Sequence, residues 1–132
     1  MDKILARTIY GEARGEFHLF GPASLMGIAW VVRNRNAAQT WYGKTIDEVC
    51  LKPLQFSCWN ATDPNKAIIE AVTSDNTLFG LCDKIADWVL AADPFADVTM
   101  GSTNYHAKGI LPSWAQGKIP TVFIGNHVFY KL

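Results

Sequence analysis

Two glutamates, Glu12 and Glu16, stand four residues apart in the segment ARTIYGEARGE, with Arg14 between them and Tyr10 just before. Carboxyl groups at that spacing share one face if a helix runs through both. Two carboxyls held close have their proton affinities driven apart, so one can keep its proton and act as an acid near neutral pH. Ile4, Leu5, Thr8 and Ile9 fall near one helical face and predict a first helix over residues 2–13. Gly11 and Gly15 loosen its end, which places Glu12 at or near the helix C-terminus. The partial negative charge at such an end disfavours an ionised carboxyl, and nearby apolar groups (Ile9, Tyr10, Phe17) act the same way by desolvation. A carboxyl kept protonated suits glycosidic cleavage, where the leaving oxygen must take up a proton as the bond breaks. The competing reading is a pair of ordinary solvated charges.

The elements that must position these groups can be read further along the chain. Pro22 suits a first helical turn, and Leu25, Ile28, Ala29 and Val32 then follow at helical spacing. Met26, Trp30 and Val31 are apolar too, which predicts a central helix buried on more than one side. Arg33, Asn34, Arg35 and Asn36 give it a polar end. Thr45-Ile46-Asp47-Glu48 is a capping box that opens a short helix through Cys50. Asp63-Pro64 reads as the start of another, with Ala67, Ile68, Ala71 and Val72 as its apolar stripe. Leu78, Leu81, Cys82, Ile85, Val89 and Ala92 give the clearest amphipathic pattern, which stops before Asp93-Pro94. Residues 121–124 and 127–130 are β-rich and flank Gly125-Asn126, a two-residue hairpin signal; residues 103–107 offer a third strand. The expected fold class is α+β, mostly helical, with a small C-terminal antiparallel sheet.

Composition narrows the classes. The 132 residues suit one domain spanning 1–132, and a hydrophobic fraction of 49% supplies a core without disulfide or metal staples. Lysine plus arginine and aspartate plus glutamate number 12 each, which disfavours an electrostatic grip on nucleic acid. Cys50, Cys58 and Cys82 make an odd count without a CxxC, unlike a secreted disulfide framework; a Cys50–Cys58 bridge is left open. The opening MDKILARTIY does not read as a signal peptide, and no run reaches the roughly 20 apolar residues of a membrane-spanning helix. Aromatic residues are 12% of the chain and several lie beside Gly, Pro, Asn and Gln, where their faces could pack on sugar rings.

ARTIYGEARGE, GIAWVVRNR, QFSCWN, NYHA and GNHVFY occur in that order over residues 6–130. In this the chain resembles the SleB-type cell wall hydrolase family, which includes spore cortex-lytic enzymes and some phage endolysins. The resemblance implies a lysozyme-like fold and a peptidoglycan glycosidase, of which the best described act as lytic transglycosylases. It places the catalytic acid/base on Glu12, cutting the β-1,4 bond between N-acetylmuramic acid and N-acetylglucosamine. The expected cleft residues are Glu16, Gln55, Phe56, Ser57, Trp59, Tyr105, His106 and Trp114. Gln55 would offer an amide to N-acetyl groups, and Tyr105 with His106 would face the substrate, with a buried, hydrogen-bonded pair as the competing reading of nearly equal weight. Phe56 and Trp59 have a core reading of nearly equal weight, with Gln55 then a turn residue; Asn126 reads first as a turn residue, and turn chemistry is the plain role of His127 beside it. No metal or cofactor is expected. The partners are peptidoglycan strands, with no nucleic acid and no membrane insertion, and the protein is expected to be a monomer.

Other chemistries remain open at this point. A hydrolytic muramidase would use Glu16 as a second carboxyl beside Glu12. A zinc amidase would need His18, His106 and His127 as ligands and Glu12 as base, though no HExxH spacing is present. A cysteine peptidase would join Cys58 to His106 or His127. A wall-binding module would need the aromatics but not Glu12. The apparent lack of a signal peptide or separate wall-targeting unit leads to the expectation of a phage or prophage endolysin. Such a protein is made in the cytoplasm and released to the wall through a holin lesion.

Overall fold

The computed structural model describes residues 1–132, in which five α-helices precede a three-stranded sheet. Helix α1 (Ile4–Phe20) buries Ile4, Leu5, Thr8, Ile9 and Ala13 on one face. It runs seven residues beyond the expected end and stops at Gly21, whose φ of 76° a side chain would resist. An isolated glycine costs a helix only about 1 kcal/mol, so Gly11 and Gly15 do not break one that is held by packing. Glu12 therefore lies in mid-helix, and the partial charge of a helix end, which acts within the last turn, does not reach it.

Helix α2 (Pro22–Ala38) begins at its proline and is central as expected, with Leu25, Ile28, Ala29, Trp30, Val31 and Val32 all buried. Helix α3 (Ile46–Leu51) is capped by Thr45, whose hydroxyl accepts from the Glu48 N–H at 3.1 Å. Helix α4 (Asn65–Ala71) departs from its expected stripe: it buries Ile69, while Ala67, Ile68 and Ala71 face solvent. Two turns are too few for sequence periodicity to identify the buried face. Helix α5 (Thr77–Ala91) starts at an Asn76 cap and buries Phe79, Cys82, Ile85, Ala86 and Val89. Helices α1, α2 and α5 pack together as the centre of the core. No helix is long and apolar enough to cross a membrane.

Two arginines finish the helix ends. Arg7 of α1 donates to the Ile69 and Val72 carbonyls at 2.8 and 3.0 Å, at the C-terminus of α4. Arg33 of α2 donates to Val89 and Ala92 at 2.7 and 2.6 Å, at the C-terminus of α5. Cations suit the carbonyls at helix C-termini, where the partial charge is negative and lone pairs remain free.

After α5, Asp97 folds the loop back by accepting from the Thr99 and Gly101 N–H groups and from the Asn34 side-chain amide of α2. Strands β1 (Asn104–Ala107), β2 (Val122–Ile124) and β3 (His127–Tyr130) form an antiparallel sheet in the order β1-β3-β2. Tyr105 pairs with Phe129 and Ala107 with His127. Strand alternation puts those four on one face and Asn104, His106, Val128 and Tyr130 on the other. The first face lies on the helices: a Cβ on Gly27 would stand 2.8 Å from the Phe129 ring. The second packs on Ala115 and Trp114, in a 3-10 turn at Ser113–Ala115.

This contact predicts the outcome of Gly27→Ala. Alanine is the better helix former by about 1 kcal/mol. Overpacking against the fully buried Phe129 ring costs about 1–3 kcal/mol, so the variant should be less stable on balance. Urea unfolding measures it, and a variant more stable than the parent would refute the close packing.

Candidate active site

Glu12 projects from the middle of α1, half-buried, and each of its carboxyl oxygens has one donor. Oε1 accepts from the Tyr105 hydroxyl at 2.6 Å, and Oε2 accepts from the Cys58 backbone N–H at 3.3 Å. The second contact depends on Gly11. A Cβ there would stand 2.8 Å from Cys58 Cβ and 2.9 Å from its Sγ, so only a bare backbone lets the 3-10 turn Ser57–Trp59 lie this close to α1. Trp59 fastens the turn, its indole N–H donating to Thr8 Oγ1 at 2.9 Å. Burial, then the Glu12 carboxylate, hold the Tyr105 phenol well above its ordinary 10.0. Tyr105 therefore remains an O–H donor throughout the ordinary pH range.

Arg35 stands behind this pair and is 6% exposed. Its Nε donates to the Thr103 carbonyl at 2.6 Å and its Nη1 to Gln55 Oε1 at 2.7 Å. The guanidinium lies between the rings of Tyr42 and Phe56, 5.0 and 5.1 Å from their centroids. Burial lowers its pKa, and Tyr105, Tyr42 and Glu12 oppose that shift. In the sequence Arg35 belongs to a polar helix end. The available signal was its spacing, because it continues the buried stripe of Ile28 and Val32.

Gln55, Tyr105 and Trp114 line an open cleft of about 280 Å³ together with Arg35, Trp41, Leu54 and Asn104. Tyr105 thus belongs to both the cleft and the Glu12 clamp. The other expected residues lie elsewhere. Phe56 is core at 1% exposure, and Trp59 is turned to Thr8. Ser57 is exposed on its turn. His106 cannot face Glu12 beside Tyr105, because adjacent strand residues point to opposite faces. Its Nε2 instead pairs with the Tyr130 hydroxyl at 2.8 Å, and its ring meets the edge of Trp114.

Glu16 and His127 present a different feature. Glu16 Oε2 and His127 Nδ1 are both buried without a hydrogen-bond partner. The His127 ring packs on Tyr105 with centroids 4.8 Å apart. His127, beside the hairpin turn in sequence, is therefore part of the wall around the two glutamates. Burial lowers its pKa, while Glu16 and then Glu12 pull the other way.

The remaining groupings do not assemble. No three His, Cys, Asp or Glu side chains converge as metal ligands. All three cysteines are free. Burial pushes Cys50 and Cys82 up to about 12, and burial with the nearby Glu12 carboxylate raises Cys58 as well. A thiol so held lacks the thiolate a cysteine peptidase needs. Cys58 contributes its backbone N–H, which no residue-type pattern displays.

Residues 23–130 match the cell wall hydrolase family, a stretch that begins at α2 and leaves Glu12 just ahead of it. The crystal structure of the catalytic domain of the Bacillus cereus SleB protein is similar in fold, with a TM-score of 0.65 and 21% identity. The superposition covers 97% of this chain and 87% of that one. No curated protein matches the chain.

The buried imidazole makes stability depend on pH. Its folded pKa lies below the ordinary 6.5, so just below that pH the unfolded chain binds more protons than the folded one. Stability should fall as pH drops through about 6.5, and His127→Gln should make that slope shallower. Urea unfolding at about pH 7.5 and about pH 5 measures it; equal slopes in both proteins would contradict the assignment.

Proposed function

Because the chain belongs to the cell wall hydrolase family, we propose that it cleaves peptidoglycan glycan strands between N-acetylmuramic acid and N-acetylglucosamine, with Glu12 as general acid and then base. The observation that carries this reading is the Tyr105–Glu12–Cys58 clamp, next to an open cleft with tryptophans on its wall. Oε1 is committed to a short bond from Tyr105. Oε2 has a longer bond and lone-pair capacity to spare, which makes it the oxygen that handles the proton. In the first step the Glu12 carboxyl gives its proton to the glycosidic oxygen as the C1–O bond breaks. In the second, the carboxylate takes the proton of the C6 hydroxyl of the same muramic acid, whose oxygen closes on C1. The product is a 1,6-anhydro ring, the nucleophile comes from the substrate, and Glu12 ends protonated as it began. This is lytic transglycosylation.

One observation favours a second reading. Glu16 lies one helical turn from Glu12, and its buried Oε2 has no protein partner. A hydrolytic muramidase would use that carboxylate to hold the attacking water.

Three variants test the assignment on purified peptidoglycan. Glu12→Gln keeps shape but cannot pass a proton, and should lower turnover by about 10²–10⁴-fold with little change in stability. Tyr105→Phe removes one hydrogen bond and should cost about tenfold. Glu16→Gln should do much less damage than Glu12→Gln under transglycosylation, whereas equal damage favours the muramidase. A folded Glu12→Gln protein with parental activity would overturn the proposal.

A further inference from the structure

A second groove lies on the other side of α2 from the Glu12 clamp. Arg35 faces the clamp, and two residues back along a helix is a rotation of about 200°, so Arg33 faces away from it. Trp30, Arg33, Phe95, Asp97 and Met100 line this groove, whose volume is about 450 Å³. Small-ligand sites span about 300–1,000 Å³. Arg33 spends Nη1 on the Val89 and Ala92 carbonyls, while its Nε and Nη2 meet no protein acceptor and stay open to solvent. Those two nitrogens form the side edge of the guanidinium, which grips a carboxylate through two parallel bonds. The guanidinium lies over the Trp30 ring, 4.8 Å from its centroid. Trp30 is 1% exposed, and its indole N–H is buried without an acceptor. A buried donor left unpaired is costly, so this one gains from an acceptor that the protein does not supply.

Asp97 is the one carboxylate at the groove, and its oxygens are taken. Oδ1 accepts from the Thr99 N–H and hydroxyl at 2.7 and 2.6 Å, and Oδ2 from the Asn34 amide and the Gly101 N–H, each at 2.8 Å. Arg33 forms no ion pair with it or with any other acidic group, so its charge is unmatched in the protein. Asn34 also lines the groove and gives its NH2 group to Asp97 and to the Ser102 carbonyl. Both partners are acceptors, which fixes the amide and leaves its Oδ1 free to accept. Phe95 is fully exposed at the rim, and Met100 stands beside it at φ 55°, held outward by the loop that Asp97 folds. A ligand that fits has a carboxylate, an N–H next to it and a small apolar side chain, which is the carboxyl end of a peptide.

We propose that this groove is a second binding site, which takes the free carboxyl terminus of a peptidoglycan stem peptide. Arg33 and Trp30 hold the carboxylate, Asn34 accepts the terminal amide N–H, and Phe95 with Met100 cover the last side chain. The choice of a wall peptide rests on the glycan reading above, whereas the carboxylate rests on Arg33 and its neighbours alone. The site holds the enzyme on its polymeric substrate without touching the bond that Glu12 breaks.

The test is an NMR titration with a synthetic stem tetrapeptide, once as the free acid and once with its carboxyl groups amidated, reading the indole N–H signals. The Trp30 signal, assigned by its loss in Trp30→Phe, should move with the free acid, while those of Trp41 and Trp114 at the cleft stay in place. Amidation should weaken binding by about tenfold or more. Arg33→Lys keeps the charge but loses the fork, and should weaken it by about the same factor. Phe95→Ala changes a fully exposed side chain, so the fold is kept, and should weaken binding by about threefold. A Trp30 signal that does not move overturns the site, as do equal affinities for acid and amide, movement confined to Trp41 and Trp114, or variants that keep full affinity. A protein that binds the free acid at Trp30 but cleaves no glycan supports the site and overturns the glycan reading itself.

Discussion

The site depends on the close approach of the Ser57–Trp59 turn to α1 at Gly11. Where α1 has no side chain, Cys58 can press onto the helix and aim its N–H at Glu12. Thr8 and Trp59 hold the same contact one turn earlier on α1. Tyr105 closes the other side of the carboxyl from β1, a segment more than ninety residues away in sequence. The carboxyl is therefore gripped by one backbone donor and one phenol that burial keeps protonated, each on a separate element. Such fixed donors cost little reorganisation when charge on Glu12 changes.

Guanidinium groups tie the remaining elements to this centre. Arg7 and Arg33 satisfy the last carbonyls of α4 and α5, and Arg35 ties α2 to the segment entering β1 through Thr103. Burying Arg35 is costly unless its donors are used. Here they meet a backbone carbonyl and a side-chain amide, between two aromatic faces. The arginine thus serves two purposes: it orders the approach to β1 and fixes the Gln55 amide at the cleft.

Local patterns carried much of the fold. The proline at the start of α2, the Thr45 cap, the stripe of α5 and the Gly125-Asn126 turn each specify structure within a few residues, and each appears as expected. The α+β class and the likeness to the SleB catalytic domain follow from them. The end of α1 is not legible in the sequence because Gly11 serves packing and not helix termination. The buried face of α4 is not legible either, because Ile69 fills the space beside Gly11, a tertiary fact. At the site, ARTIYGEARGE directed attention to Glu12. The partners of Glu12 were harder to read, since one is a backbone N–H and the other required choosing between the two faces of β1. The places of Arg35 and His127 are hard to read for a related reason: one sits in a polar helix end and the other beside a turn, and packing buries both.

The central claim is that one clamped glutamate breaks a glycosidic bond with the substrate's own hydroxyl as nucleophile. The most direct test is mass analysis of soluble fragments released from purified peptidoglycan. Muropeptides ending in 1,6-anhydro-muramic acid, lighter by one water than the reducing form, are the expected products. Free peptides released from intact glycan strands would contradict it.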